Sequence, residues 1–215
     1  MEHKTQSFKG HEFKVVRGVT HPAFSYFTFE EEEKDLRERL WNIQPGDVVF
    51  DVGASYGSYA LTACAMGATV YAFEPEKTVF DDLVRSVVLN DWSERCIPVN
   101  KGLWSSETRI HMESYAPHWP KLSISGSYVL DTLDHEVAAA GLKQLDWIKI
   151  DVEGAEEHVI RGGMGTLSKF RPKLLIECHI FLDAALVDKI KALLPGYTFE
   201  EITRPPCIML YALPE

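Results

Sequence analysis

Positive charge is scarce in this chain: 22 lysines and arginines stand against 32 aspartates and glutamates, a formal net charge of −10. The basic residues are scattered, and no patch or run gathers them. A surface of that sign repels phosphate backbones, which removes nucleic acid from the expected partners. Long apolar runs are also missing. No stretch approaches the roughly 20 residues needed to cross a bilayer, and the polar stretch Met1 to Lys14 lacks the apolar centre of a secretory leader. No membrane partner is expected, and a cytoplasmic location fits. The cysteines number only four, Cys64, Cys96, Cys178 and Cys207. They lie far apart without zinc-site spacing, so reduced, half-buried thiols are expected rather than a disulfide framework or a metal centre. Internal repeats and low-complexity segments are absent. What remains is 215 residues, 46% of them hydrophobic. That is enough for one sizeable core and too little for two comfortable ones. A single domain over residues 1–215 is expected, with an N-terminal helical extension over 1–45 and an insertion of short strands and loop over 105–133.

Residues 1–28 read as irregular, with aromatics toward their end at Phe24, Tyr26 and Phe27, and at Phe29 just beyond. A charged amphipathic helix follows, Glu30 to Asn42, with Leu36, Leu40, Trp41 and Ile43 on its apolar side and Pro45-Gly46 as its stop. The run Glu30 to Glu33 reads as a solvated helix start that suits the dipole. From Asp47 the pattern changes to short β-rich runs alternating with helical stretches, the mark of a parallel sheet covered by helices. The strands read as 48–52, 69–73, 96–100, 147–150 and 174–177, nearly continuously apolar as strands buried on both faces should be. Helices read as 58–66, 77–90, 136–140, 155–162 and 184–194. The segments 108–113 and 123–130 read as short strands of the insertion. Two final strands, 197–202 and 208–212, are joined by Arg204-Pro205-Pro206, a link with no room for a crossover helix. They must form an antiparallel hairpin.

One strand-to-helix turn carries ligand chemistry. Val49-Phe50-Asp51-Val52-Gly53-Ala54-Ser55-Tyr56-Gly57 ends the first strand and opens a helix. Glycines at 53 and 57 allow tight turns and a close approach to a ligand, and the free amides of the following helix favour a negative group. The G-x-x-x-G spacing is not the G-x-G-x-x-G of dinucleotide sites, nor is it a P-loop. The second strand ends in Phe73-Glu74-Pro75-Glu76. Glu74 at that tip can accept hydrogen bonds from both hydroxyls of a ribose; alternatively it caps the helix that starts near Glu76. Nicotinamide sites place an acid here too, so Glu74 suggests a ribose without choosing the cofactor.

Further motifs follow in order: Thr132-Leu133-Asp134, I-K-I-D-V-E-G-A-E from Ile148 to Glu156, and L-L-I-E-C-H from Leu174 to His179. With D-V-G-A-S-Y-G and F-E-P-E they resemble the FkbM family of methyltransferases over roughly residues 30–180, the Lys149 to Gly154 segment being the most specific. Two positions depart from the family's habit. Ser55 stands where members often carry Asn, and of two asparagines common in the helix after Glu74 only Asn90 is present. The resemblance implies an α/β, Rossmann-like class I methyltransferase fold: a mostly parallel seven-stranded sheet in the order 3-2-1-4-5-7-6, helices on both faces, and the antiparallel terminal hairpin. It implies S-adenosylmethionine as methyl donor and usually a hydroxyl oxygen as acceptor, on a small molecule, sugar or natural product. The residues expected on the cofactor are Asp51, Gly53, Ala54, Ser55, Tyr56, Gly57, Glu74, Pro75, Lys101, Gly102 and Asp151.

Methyl transfer is an in-line displacement, and an alcohol acceptor must also lose a proton. Acid–base residues should therefore sit at the C-terminal ends of the central strands. Asp151 and Glu153 follow the fourth strand, and Glu177 and His179 end the fifth. With neighbouring strands about 4.8 Å apart, all four can face one cleft. These are the candidate catalytic residues, with the acceptor beside them under the insertion. Alternatives stand beside each role. Asp151 or Glu153 can cap the helix near Gly154, helped by Glu156 and Glu157 in its first turn. Lys149, mid-strand, needs a charged partner such as Asp151 or Glu177. The carboxylate–His group could hold a divalent cation, although no second Asp-Asn pair supports that and no metal is assigned. Trp104, Tyr115, His118, Trp119 and Tyr128 line an acceptor pocket or merely cover the sheet. Two other functions compete: an NAD-dependent oxidoreductase, disfavoured by the glycine spacing and the terminal hairpin, and a non-catalytic cofactor-binding module.

Overall fold

The computed structural model describes residues 2–18, 33–112 and 126–215. Its main sheet has seven strands: β3 (Val48–Val52), β4 (Thr69–Phe73), β5 (Cys96–Val99), β9 (Trp147–Ile150), β10 (Lys173–Cys178), β11 (Tyr197–Arg204) and β12 (Cys207–Pro214). They lie in the order β11-β12-β10-β9-β3-β4-β5. β5, β4, β3, β9 and β10 run parallel, and β12 is antiparallel to both β10 and β11. Counted along the chain within this sheet the order is 3-2-1-4-5-7-6, the expected one. The hairpin forms as the short Pro205-Pro206 link requires, with Arg204 opposite Cys207.

The central strands are buried on both faces, and their alternation divides the core in two. Val49, Trp147, Leu175 and Met209 belong to one apolar cluster, together with Trp41 and Tyr59. Phe50, Val52, Ile148, Ile150, Leu174 and Ile176 belong to the other. Side chains alternate along a strand, so Asp51, Lys149 and Glu177 fall on the first of these faces. In register, Asp51 lies opposite Lys149 and Val52 opposite Ile150, while Ile150 lies opposite Ile176. This puts the loops after β3, β9 and β10 side by side at one edge of the sheet.

Helices α2 (Ser58–Ala65), α3 (Lys77–Leu89), α5 (Glu156–Arg161) and α7 (Leu186–Leu193) lie where the sequence pattern puts them, within a residue or two. α4 (Leu133–Ala139) starts three residues earlier than its pattern, because the Thr132 hydroxyl accepts the His135 amide and caps it. A further helix, α6 (Met164–Phe170), has no counterpart in the reading. Of the helix expected over 30–42, α1 (Lys34–Leu40) is described, and Leu36, Leu40, Trp41 and Ile43 are buried as expected.

The N-terminal reading needs correction. Residues 3–16 form a hairpin, β1 (His3–Phe8) and β2 (His11–Val16), rather than irregular chain. Lys9 and Gly10 both take positive φ, the geometry of a two-residue turn whose twist suits a hairpin. Phe13 and Val15 alternate inward with Val16 beside them, and Lys14 and Val16 bond to Asn90 and Ser86 of the α3 region. The alternation is too short and too polar to show in the sequence, and only packing on α3 selects it. A three-stranded sheet, β6 (Gly102–Leu103), β8 (Gly126–Asp131) and β7 (Thr108–Met112), carries the expected insertion strands. Phe24, Tyr26, Phe27, Phe29, Glu30 to Glu32, Tyr115, His118 and Trp119 lie outside the described residues. Glu33 corrects the solvated-run reading: it is buried, and its carboxylate accepts the Tyr59 hydroxyl at 2.6 Å. All four cysteines are free and buried. Among the described residues no helix is long and apolar enough to cross a membrane.

Candidate active site

The turn after β3 is shaped by three positive φ angles, at Gly53, Ser55 and Gly57. The amides of Gly53 and Ala54 both donate to the Phe73 carbonyl, at 3.0 and 2.9 Å, which ties the loop to the tip of β4. A Cβ at Gly53 would sit 1.7 Å from the Asp151 carbonyl oxygen. Gly53 is therefore required by the approach of the loop after β9. Gly57, the N-cap of α2, has a different neighbour: a Cβ there would meet Leu83 of α3 at 2.6 Å and Leu61 at 3.0 Å. The space a side chain would need at Gly57 is thus taken by helix packing.

Glu74 is buried at the tip of β4. One carboxylate oxygen accepts the Ser55 amide at 2.9 Å and the other accepts the Glu76 amide at 2.8 Å. Burial pushes its carboxyl up to about 7, against the pull of these two amides. The cap of α3 is Glu76, whose side chain accepts from Thr78 and Val79. Glu74 thus pins the glycine loop and still faces a cavity of about 360 Å³, within the size range of small-molecule sites. Gly53, Pro75, Gly102 and Asp151 also line it, as do Trp104, Tyr128, Leu103 and Glu153.

Six residues expected on the cofactor do not line this cavity. Ala54, Ser55, Tyr56 and Gly57 form the loop beyond it. Asp51 is buried beneath the loop with no close hydrogen-bond partner for either carboxylate oxygen among the described residues. Burial pushes its carboxyl up to about 6, opposed by Lys149 and the Ala60 amide. Lys101 turns its ammonium to Asp131 at 2.9 Å and Glu136 at 2.5 Å. Conversely, Trp104 and Tyr128, read as acceptor-side aromatics or sheet cover, line this same cavity. Trp104 is held there by stacking on His158, with ring centroids 3.7 Å apart. That stacking partner lies 54 residues away in the chain, so the sequence gives no sign of it.

Asp151 and Glu153 line the cavity and belong to a carboxylate–histidine group whose other members, His179 and Glu177, do not line it. The Nε2 of His179 lies 3.3 Å from the Glu153 carboxylate and 3.9 Å from that of Asp151. On the other side of the ring, Nδ1 lies at hydrogen-bond distance from Glu156, 2.6 Å. Glu153 holds φ 53 and the following Gly154 φ 102. A non-glycine residue in the left-handed region costs energy and is concentrated at functional sites. Lys149 donates to Asp151 at 2.8 Å and lies 4.8 Å from the centre of the Tyr59 ring, so the expected ion pair forms, with the lysine buried and the aspartate half-buried. Glu177 shares the face of His179, with Cys207 of β12 close to both.

The charges are unevenly shared. Burial alone would lower the His179 imidazole, but the Glu156 hydrogen bond and the charges of Asp151, Glu156 and Glu153 outweigh it and hold it up at about 9. Burial pushes the Glu177 carboxyl well up, helped by Asp151 and Glu33. Burial also raises Glu153, helped by Asp151. Asp151 escapes this: burial opposes its charge, but Lys149 and His179 hold its carboxyl below the usual range. At neutral pH the group therefore holds protons on His179 and Glu177, and Asp151 is the ionised acceptor. Asp151, Glu153 and His179 present donor atoms within 4.8 Å of one another, a set compatible with a divalent cation. Asp151, Glu153, Glu177 and His179 are thus brought together, and Glu156, read only as a first-turn charge, joins them.

The pattern of the methyltransferase FkbM domain matches residues 51–201. The hexuronic acid methyltransferase AglP of Haloferax volcanii is 31% identical over 168 residues, covering 74% of this chain and 67% of that protein. The 31-O-demethyl-FK506 methyltransferase FkbM of Streptomyces tacrolimicus is 26% identical, covering 73% and 74%. Among solved structures, a methyltransferase FkbM from Methylobacillus flagellatus superposes with a TM-score of 0.61 at 16% identity, over 86% of this chain and 47% of that one. The chain thus spans about half the length of that structure. A precorrin-6y C5,15-methyltransferase from Geobacter metallireducens gives 0.51 at 12% identity, over 94% and 93%. These two likenesses speak to the fold alone.

Proposed function

The chain belongs to the FkbM family of S-adenosylmethionine-dependent methyltransferases, and from that premise we propose that it methylates a hydroxyl oxygen on a sugar or related natural product. One observation carries this reading: a cavity with a buried carboxylate at Glu74 is lined on another side by Asp151 and Glu153, and the imidazole of His179 lies behind these two, 3.9 and 3.3 Å away. The cavity residues fit the cofactor. Glu74 offers acceptor oxygens for a ribose diol, and the apolar walls at Leu103, Trp104 and Tyr128 suit a flat heterocycle. When bound, S-adenosylmethionine supplies an electrophilic methyl group.

The chain's own residues then have two tasks. Gly53, Glu74, Pro75, Gly102 and Asp151, which line the cavity, would hold the cofactor at the ends of β3, β4 and β9. His179, in its neutral form, takes the hydroxyl proton at Nε2, while Asp151 and Glu153 orient the hydroxyl and stabilise the imidazolium that forms. Two features support an oxygen acceptor: an imidazole and carboxylates that can take a proton lie beside the cavity, and the two relatives are a hexuronic acid methyltransferase and a 31-O-demethyl-FK506 methyltransferase. The oxidoreductase alternative has no feature in its favour. The test is methyl transfer from S-adenosylmethionine to a panel of free and glycosidically linked uronic acids, neutral sugars and hydroxylated macrolactones. An O-methylated product is expected from one of these classes, and turnover should fall roughly 10²–10⁴-fold in His179→Ala. Transfer only to nitrogen or carbon acceptors, or full activity without His179, overturns the reading.

A further inference from the structure

Glu156 and Glu157 are adjacent acids in the first turn of α5, but they have different fates. Glu157 pairs with Arg161 near the surface. Glu156 has no exposed surface at all. Its Oε1 lies 2.6 Å from the His179 Nδ1 and accepts the Gly154 amide at 3.0 Å. A fully buried carboxylate is costly unless it is paired and hydrogen-bonded; Oε1 has both partners, while Oε2 has none among the described residues. This one connects the loop after β9 to the tip of β10, 23 residues further along the chain.

We infer that Glu156 is a positioning residue that fixes the tautomer and protonation of His179, keeping a proton on Nδ1 so that Nε2 is the atom that exchanges protons. The inference rests on the reading of His179 as the base. Its argument is geometric. A histidine has two ring nitrogens, and the partner of one decides which is free. The Nδ1 side is closed by Glu156 at hydrogen-bond distance. Nε2 faces Glu153 and Asp151, which line the cavity, so it is the nitrogen on the acceptor side. The other groups around the ring are Glu177 and Cys207 on the β10–β12 side and, behind Asp151, Lys149. None of the distances among these brings a rival hydrogen-bond partner to Nδ1 as close as Glu156. Gly154, anchored by the same oxygen, carries Glu153 next to it, so one carboxylate sets both the imidazole and its neighbour across the cleft.

The experiment is ¹⁵N NMR of the histidine side chains over pH 6–10 in the full chain, with His179→Gln to assign the signal, followed by Glu156→Gln. In the native chain the neutral form of His179 should carry its proton on Nδ1. In Glu156→Gln, which keeps the shape and removes the charge, the His179 midpoint should fall by about 1–3 pH units, and the rising limb of the pH–rate profile should fall with it. A native neutral form protonated on Nε2 overturns the inference without any variant. So does an unmoved midpoint in Glu156→Gln. If the midpoint and tautomer behave as expected but the rate profile ignores both Glu156 and His179, the positioning stands and the base is elsewhere. That outcome separates a failure of the functional reading from a failure of this one.

Discussion

The Glu74 carboxylate has two jobs that one substitution can separate. It accepts amides from Ser55 and Glu76, and it faces the cavity in which a ribose would lie. Removing the carboxylate in Glu74→Ala deletes two charge-assisted contacts to a ribose diol. The loss of binding should be about 2–3 kcal/mol, or roughly 30–150-fold in the Kd for S-adenosylhomocysteine. The same change leaves two buried amides without an acceptor, each worth about 1–3 kcal/mol of folding stability. Glu74→Gln reduces this second effect, because it keeps the volume and one acceptor oxygen. The assay is calorimetric titration with S-adenosylhomocysteine beside thermal unfolding without ligand. Both variants should bind at least tenfold more weakly, whereas Ala should lose clearly more stability than Gln. pH provides an independent check. The folded carboxyl lies at about 7, above its ordinary value of 4.5. The charged form is therefore disfavoured in the fold, and this unfavourable contribution to stability is relieved as pH falls through 7. Ribose binding favours the charged form, so affinity should decline below about pH 7, approaching tenfold per unit, and the decline should vanish in Glu74→Gln. Unchanged affinity in both variants alongside lowered stability would refute the reasoning and leave Glu74 as a loop anchor only.

Three other outcomes follow from the geometry. Turnover should rise with pH toward about 9, because burial and three neighbouring carboxylates leave the His179 imidazole protonated below that value; a flat profile from pH 7 to 10 would assign proton acceptance to Asp151, which is ionised throughout. Gly57→Val should lower the unfolding midpoint before it affects ligand affinity in the folded fraction, because its side chain would run into Leu83 and Leu61 at positive φ; urea denaturation should register a loss of about 2 kcal/mol or more, and weak binding at full stability would contradict it. Trp104→Ala removes the aromatic wall stacked on His158, and S-adenosylhomocysteine affinity should fall roughly tenfold or more, whereas an unchanged Kd would place the flat part of the ligand elsewhere.

The strand runs and the turn signals that end them were legible because each is a local property. Val48–Val52 and Trp147–Ile150 are short, mostly apolar runs, and Pro205-Pro206 leaves no room for a helix, so the strands and the terminal hairpin follow from about ten residues at a time, whereas the sheet order was implied only by the resemblance to a known fold. The motif residues Asp151, Glu153, Glu177 and His179 could be placed at two strand tips by alternation alone. What the sequence could not decide is which of several similar side chains turns inward, because that depends on neighbours far along the chain. Glu156 and Glu157 are chemically equivalent until β10 brings His179 to one of them. Glu33 looks like its three acidic neighbours until Tyr59 reaches its carboxylate. Lys101 could face a ligand until Asp131 and Glu136 take its charge. Trp104 gains its role from His158, and the β1–β2 hairpin gains its stability from α3. Periodicity records which face of a strand or helix is buried. Register and strand order choose the partner on that face, and for a buried charge the partner determines both whether it is tolerated and what it does.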